Sequence, residues 1–196
     1  ALAVLLPMIL PSDVTWMVHP HQGKTDLLGK LEDRLRGYAR WLPLDSLIVV
    51  LVDRDSGDCR KLKGRLESAA RSVGLRTLSA TRAPSRVQVA NRIAIEELEA
   101  WFFGDIEALC LAYPGVPATL GQRAGYRNPD AIKGGTWEAL ERVLMDAGHH
   151  KGGLRKIEAA RAIAARMDPS RNRSKSFQHF RNALQRLAGS PAPLPQ

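Results

Sequence analysis

Residues 47–58 read LIVVLVDRDSGD, an unbroken apolar run that ends in acidic residues. Six consecutive apolar side chains predict a strand that is covered on both faces, as in a parallel sheet. On an extended chain, side chains two residues apart point the same way. The carboxylates of Asp53 and Asp55 should therefore face one hard cation, while Arg54 points elsewhere. This stretch predicts a buried strand with a divalent-cation site at its carboxyl end.

Extended and helical patterns alternate on both sides of this strand. Before it, a short strand is predicted over 14–18 and an amphipathic helix over 24–41. After it come a helix over 58–73, a short strand over 76–79 and a further strand over 87–95. This alternation predicts an α/β fold, a compact parallel sheet flanked by helices. In such sheets ligands bind at the carboxyl ends of the strands.

The chain divides by composition into three parts. Residues 1–113 carry the α/β pattern, residues 114–135 are rich in Gly, Pro and Asn and predict a loop, and residues 136–196 predict a helical segment packed on the core. This last part is expected to contain helices over 136–147, 154–167 and 176–187. A length of 196 residues with 44% hydrophobic side chains is enough for one domain with a substantial core.

A second acidic group lies in IAIEELEAWFFGD, residues 93–105. Glu96, Glu97 and Glu99 crowd the start of a predicted helix, where the helix dipole favours acids, yet three are more than this effect requires. The strand before them should end beside the Asp pair, so Glu97 and Glu99 are expected to supply the second half of a two-metal site. The structural alternative is an ordinary acidic first turn here and an Asp cap on the helix that begins near Asp58.

The positive charge of the chain is concentrated near its C-terminus. The whole chain has 29 Lys or Arg residues against 20 acids, and residues 151–186 alone hold ten against two. A basic segment on a nearly neutral body is typical of a phosphate-backbone footprint, because each bound cation releases a counterion. A solvated helix face is the alternative. The candidate nucleic-acid contacts are Lys24, Lys151, Arg155, Lys156, Arg171, Arg173 and Lys175.

Several classes of protein are disfavoured. Cys59 and Cys110 lie far apart, which argues against a zinc site or a disulfide framework and favours a cytoplasmic protein. The opening ALAVLLPMILP lacks basic residues before it and is too short to span a bilayer, so no membrane association is expected. The missing initiator methionine suggests that residues once preceded Ala1. Both a monomer and a homo-oligomer are compatible with the sequence.

Five stretches, HPHQGK, VVLVDRDSGDC, RIAIEELEAWFFGD, KGGLRKIEAARAIA and RSKSF, together resemble a bacterial Toprim-like family. Members of that family are often encoded beside AAA-type ATPases in phage-defence loci and are similar in logic to the nuclease half of overcoming-lysogenization-defect proteins. The resemblance covers most of the chain. It implies Mg²⁺ or Mn²⁺ at Asp53 and Asp55, a second acidic group at Glu97 and Glu99, and an AAA-type ATPase as partner. Toprim domains also use a glutamate at the end of their first strand, and no residue here matches it.

Three functions remain open at this stage. The first is a metal-dependent nuclease that cleaves phosphodiesters in nucleic acid. The second is a non-catalytic nucleic-acid-binding or regulatory partner of an AAA-type ATPase. The third is a haloacid-dehalogenase-like phosphatase with Asp53 as nucleophile and Asp55 as acid. For this third function the chain lacks the Thr or Val that usually follows the DxDG motif, and no convincing downstream acidic pair is visible.

Overall fold

A computed structural model describes residues 1–43, 45–55, 57–80 and 87–189. These residues form a mixed α/β structure whose two strands, β1 (Ile48–Asp53) and β2 (Val89–Ala94), make a parallel sheet. The helices are α1 (Leu2–Ile9), α2 (Gly23–Trp41), α3 (Cys59–Ser72), α4 (Ala100–Phe103), α5 (Ile106–Ala112), α6 (Thr136–Asp146), α7 (Lys156–Ala164) and α8 (Lys175–Ala188). Two short 3₁₀ helices, Leu120–Gln122 and Pro129–Ala131, interrupt the predicted loop.

Strand β1 is covered on both faces, as its apolar run predicts. Val49 and Leu51 pack against the larger hydrophobic cluster, and Val50 and Val52 belong to a second cluster on the opposite face. The strand pairs in register with β2 from Ile48 opposite Val89 to Asp53 opposite Ala94. Because the pairing is parallel, the residues that follow both strands emerge at the same edge of the sheet.

Helices α2 and α3 cover one face of the sheet. Their buried leucines, Leu31 and Leu35 on α2 and Leu62 and Leu66 on α3, form the second cluster with the strands. Both helices are amphipathic, and both lie where the 3.6-residue period of their apolar positions predicts. Helix α3 ends before Gly74, which adopts a left-handed backbone with φ +79°.

The other face carries the larger cluster, which joins the two halves of the chain. The fully buried ring of Trp101 on α4 lies 5.2 Å from the ring of Phe177 and 5.0 Å from that of Phe180. Residues of α1, such as Leu5, belong to the same cluster. The C-terminal helices therefore complete the core of the α/β part.

Two predicted strands are not formed. Residues 14–18 have no regular secondary structure, the four side chains from Thr15 to Val18 are exposed to solvent, and no strand of the described residues pairs with them. The strand expected at 76–79 is reduced to one bridge between Thr77 and Val89. Strand pairing is a tertiary property, and short runs with weak alternation do not determine it.

The single helix expected after the glutamates is broken in two. Gly104 ends α4, and Asp105 begins α5 by accepting a hydrogen bond from the backbone N–H of Ala108 at 3.2 Å. An aspartate at this position is a strong cap, which explains the break. None of the helices in the described part of the chain is long and apolar enough to cross a membrane.

Candidate active site

The four predicted carboxylates lie at the carboxyl edge of the sheet. Asp53 is the last residue of β1, and Glu97 and Glu99 follow β2 within five residues. Burial is the main cause that raises the pKa of Asp53 to about 7. The neighbouring charges of Glu99, Asp55 and Glu97 contribute to this rise, and the charge of Lys24 opposes it. These three acids act on one carboxyl group, so the fold brings together the residues that the sequence singles out.

Glu99 is the second carboxyl group that burial disfavours as an anion. Burial is the main cause of its raised pKa, and the charges of Glu97 and Glu138 act in the same direction. The ammonium group of Lys156 opposes the rise. Neither Asp53 nor Glu99 accepts a side-chain hydrogen bond from another of the described residues. The backbone N–H of Glu99 favours its own carboxylate, but the two half-buried carboxyl groups have no donor from another of the described residues, so they are costly unless a cation or a proton neutralises them.

Glu97 is held by a distant helix rather than by its own. Its Oε2 accepts hydrogen bonds from Thr136 Oγ1 and from the backbone N–H of Trp137, both at 2.9 Å. These donors lie at the first turn of α6, where unpaired backbone N–H groups favour an anion. The alternative of an acidic first turn is not formed, because α4 has no acid in its first turn; Glu97 instead binds the start of a helix that begins about forty residues later in the chain.

The prediction that Asp53 and Asp55 point the same way on an extended chain is wrong. The φ of +51° at Asp55 is left-handed, so the chain has already turned and Asp53 and Asp55 do not lie on one extended segment. Asp55 Oδ2 instead accepts a hydrogen bond from Lys24 Nζ at 3.3 Å, and Lys24 also donates to the carbonyl of Arg54 at 2.6 Å. The two aspartates are still close enough for their charges to interact.

Helix capping does not explain the Asp pair. The cap of α3 is Asp58, whose Oδ1 accepts hydrogen bonds from the backbone N–H groups of Arg60 at 2.7 Å and Lys61 at 3.0 Å. Asp53 and Asp55 form no bond of this kind with α3. Helix capping, the structural alternative to metal binding, is thus the role of Asp58 and not of Asp53 or Asp55.

The chemistry of the donor set suits a hard divalent cation, which prefers carboxylate oxygens. Burial and neighbouring negative charges raise the pKa values of Asp53 and Glu99 in spite of the opposing charges of Lys24 and Lys156, and a bound cation would stabilise both carboxylates. Among the described residues, no group of three or more His, Cys, Asp or Glu side chains is already arranged as a metal site. The carboxylates would have to move together to share one ion.

Two of the predicted cations border the carboxylates. Lys24, from the first turn of α2, contacts Asp55, and Lys156, the first residue of α7, lies near Glu99. The ammonium of Lys156 sits 3.8 Å from the centre of the Trp137 ring, a cation–π contact. Since the backbone of Trp137 also holds Glu97, the start of α6 organises one side of the site.

The other predicted cations differ in their surroundings. Arg171 forms an ion pair with the buried Asp105 at 2.8 Å and a second with Glu107 at 2.9 Å. Arg155 pairs weakly with Glu158 at 3.4 Å. The side chains of Lys151, Arg173 and Lys175 are exposed. Arg171 thus has a structural role within the fold, which its position in a basic run does not reveal.

Sequence reasoning missed the partners that hold the site together. The side chains of Arg54 and Glu96 form an ion pair between the two acidic turns, and Thr136 and Trp137 hold Glu97. The glycine pair before Thr136 marks a helix start, but nothing in the sequence shows which carboxylate that helix binds.

Comparison with known proteins places the chain in a family. A family model described as a domain of unknown function, DUF4276, matches residues 1–188, almost the whole chain. Neither the curated proteins nor the solved structures gave a match. The chain therefore belongs to the DUF4276 family.

Proposed function

We propose that this protein is a Toprim-like, divalent-metal-dependent phosphodiesterase that acts on nucleic acid. The observation that carries the proposal is the carboxyl group of Asp53, which is half-buried, accepts no hydrogen bond from the side chains that the structure describes and lies among the charges of Glu99, Asp55 and Glu97. Carboxylates gathered at a strand end repel one another and destabilise the fold, which favours a functional role for the cluster. Perturbed carboxyl groups gathered at the carboxyl ends of parallel strands are typical of catalytic sites.

Asp53 and Glu99 would be the principal ligands of Mg²⁺ or Mn²⁺, because neither accepts a side-chain hydrogen bond from another of the described residues. Asp55 and Glu97 would complete the donor set, although each also contacts a group of the protein. When bound, the cation would neutralise charge on the phosphate and polarise its oxygens. The carboxylates would hold the cation at the edge of the sheet.

Lys24 and Lys156 suit a phosphate-bearing substrate. Each presents an ammonium group beside the carboxylates, one from the start of α2 and the other from the start of α7. Ammonium groups attract phosphate as point charges and do not require a fixed geometry. Because Lys24 contacts Asp55 and Lys156 lies near Glu99, these lysines would draw an anionic backbone toward the cation.

The basic C-terminal segment would hold the rest of the nucleic acid. Lys151, Arg155, Arg173 and Lys175 are exposed, whereas the charge of Arg171 is shared with Asp105 and Glu107. Each phosphate contact should add about 0.9 to the slope of log affinity against log salt for duplex DNA. Changing Arg173 and Lys175 to Ala should therefore flatten the slope by up to about 2, measured by fluorescence anisotropy.

The proposed activity can be tested by cleavage and by metal binding on the same proteins. We expect the wild type to bind Mn²⁺ in calorimetry and to cut plasmid or single-stranded DNA or RNA in its presence. Asp53→Asn and Glu99→Gln keep the shape of each side chain but remove its charge, and both should lose Mn²⁺ binding and cleavage. The matched control is Asp146→Asn, which changes an exposed acid on α6 and should alter neither. Failure of the wild type to cut any substrate would reject the enzyme.

One observation favours a second function. Asp55 and Glu97 already have partners in Lys24 and α6, which suits a site whose charges serve the fold. The protein would then be a non-catalytic nucleic-acid-binding partner of an AAA-type ATPase, in phage defence. It would bind nucleic acid with the same salt dependence, bind no Mn²⁺ and leave all substrates uncut, with or without the ATPase encoded beside it.

A further inference from the structure

The contacts between the two chains of the sheet continue past the ends of the strands. The backbone N–H of Arg54 donates to the carbonyl of Ala94, and that of Asp55 donates to the carbonyl of Glu96, both at 2.8 Å. The side chains of Arg54 and Glu96 then form an ion pair across the same gap, and Arg54 Nε donates to the carbonyl of Asp55 at 3.2 Å. The turn after β1 is thus fastened to the turn after β2.

Both fastened turns contain a residue in an unusual conformation. Asp55 has a φ of +51° and Glu96 a φ of +61°, a left-handed backbone that residues with a side chain seldom adopt. Such conformations persist only where the surroundings impose them, and they gather at functional sites. Here the imposing contacts are the two backbone hydrogen bonds and the ion pair.

The two turns also carry the acids of the proposed metal site. One turn presents Asp53 and Asp55, and the other presents Glu97 and Glu99. Their like charges push the turns apart, whereas the ion pair pulls them together. With side chains 27% and 25% exposed, Arg54 and Glu96 are screened less by solvent than the surface pairs on α2.

We propose that the Arg54–Glu96 ion pair is a positioning device that holds the two acidic turns close enough for their carboxylates to move together onto one divalent cation. The inference rests on the proposed function, since it assigns a role in that same site. Arg54 and Glu96 bind neither the metal nor the substrate. They act through the turns to which they belong.

Electrostatics and positioning give opposite expectations for one variant. Arg54→Met removes a positive charge near the site, so direct electrostatics alone would tighten cation binding. Glu96→Gln removes a negative charge, so the same effect would weaken it. A positioning role requires both changes to weaken binding, because either one releases the turns. Loss of a group that orients metal ligands typically lowers metal affinity by about 10- to 100-fold.

The experiment is Mn²⁺ titration calorimetry on the full chain at constant ionic strength, with urea unfolding of each variant. We expect Arg54→Met and Glu96→Gln each to weaken Mn²⁺ binding about tenfold or more, and the exchanged pair, Arg54→Glu with Glu96→Arg, to recover part of it. The matched control is Arg36→Met, which breaks an exposed ion pair with Glu32 and should leave the affinity unchanged. If Arg54→Met fails to fold, Arg54→Lys replaces it in the experiment. This variant keeps the positive charge but not the planar guanidinium, so a positioning role again requires weaker Mn²⁺ binding.

The outcomes separate this inference from the function on which it rests. If Arg54→Met binds Mn²⁺ as tightly as the wild type or more tightly, the positioning role is rejected and the enzyme stands. If both variants weaken binding but the wild type cuts no nucleic acid, the positioning role stands and the phosphodiesterase falls. A wild type that binds no Mn²⁺ rejects both, because the ion pair then has no cation site to position.

Discussion

Two groups of half-buried or buried carboxylates in this molecule differ in one respect, the presence of hydrogen-bond donors. At the start of α5, Asp105 accepts hydrogen bonds from the backbone N–H groups of Ala108 and Asp168 and from the side chain of Arg171. At the sheet edge, Asp53 accepts none from the described residues and lies among like charges. A fold that satisfies one buried acid so fully could have satisfied the other. Asp105 thus serves stability, and the metal site proposed at Asp53 would account for the difference.

Asp130 extends the first side of this comparison. Its carboxylate accepts hydrogen bonds from the hydroxyls of Ser174 and Ser176 at 2.8 and 2.7 Å, and from the backbone N–H of Lys175 at 2.6 Å. These donors surround the start of α8, so a residue of the 3₁₀ helix fastens the last helix to the body. The loop predicted over 114–135 thereby has a structural task.

The largest expected effect comes from breaking the Asp105 site. Asp105→Ala should lower the free energy of unfolding by about 3–5 kcal/mol, because Arg171 would lose its buried partner and two backbone N–H groups would lose an acceptor. Urea denaturation at pH 7 would measure the change. A loss comparable to that of an exposed salt bridge would show that the site is not the structural centre inferred here.

Asp53→Asn should have the opposite sign. The raised pKa of Asp53 means that the folded protein binds a proton more tightly than the unfolded chain does between about pH 4 and 7, so stability falls as the pH rises through that window. The amide has no such loss. At pH 8 the variant should therefore be more stable than the wild type by about 2 kcal/mol, and at pH 4 the two should be nearly equal.

Unfolding curves collected from pH 4 to 8 would test this second prediction. The matched control is Asp146→Asn, which makes the same amide substitution at an exposed acid on α6, away from the sheet edge. If Asp53→Asn is instead less stable than the wild type at pH 8, its carboxylate has a stabilising partner and the contrast with Asp105 fails.

Breaking the Asp130 cap should have a smaller effect. Asp130→Ala should destabilise the protein by about 1–2 kcal/mol, since α8 keeps the Ser174 hydroxyl as acceptor for the N–H of Phe177. Hydrogen exchange of the first amides of α8 should accelerate more than that of β1. Equal acceleration in both elements would mean that Asp130 affects the whole fold rather than this junction.

The smallest change in the free energy of unfolding is expected for an exposed ion pair on α2, which serves as a reference for the other variants. Arg36 on α2 pairs with Glu32 and Asp33, and all three side chains are exposed. Arg36→Met should change the free energy of unfolding by less than about 1 kcal/mol, because solvent screens surface ion pairs. A larger change in urea denaturation would show that the stabilising energy of ion pairs in this protein does not increase with their burial.

Much of the fold and part of the site follow from local patterns. The apolar run of β1 and the leucine spacing of α2 and α3 predict elements that the structure contains, because burial on one or both faces imposes those periods. The proximity of Asp53 to Glu97 and Glu99 follows from the parallel arrangement of two strands. These are consequences of the topology, and they need no knowledge of individual side-chain contacts.

The remainder depends on contacts between residues distant in the chain. The strand expected over 14–18 has nothing to pair with, and pairing cannot be deduced from its own residues. The left-handed turns at Asp55 and Glu96 replace glycines that a turn would normally use. The partner of Glu97 is a helix start forty residues away, and Arg171 looks like any other cation of a basic run until Asp105 is placed beside it.

The position of Trp137 makes the site observable without a label. Its indole lies beneath Lys156 at the edge of the carboxylate cluster, whereas Trp101 is fully buried and Trp16 and Trp41 are exposed. A soluble quencher such as iodide would suppress the emission of the two exposed indoles and leave that of Trp101 as a constant background. The residual signal that changes on addition of Mn²⁺ or a nucleotide would then come from the one tryptophan that touches the site.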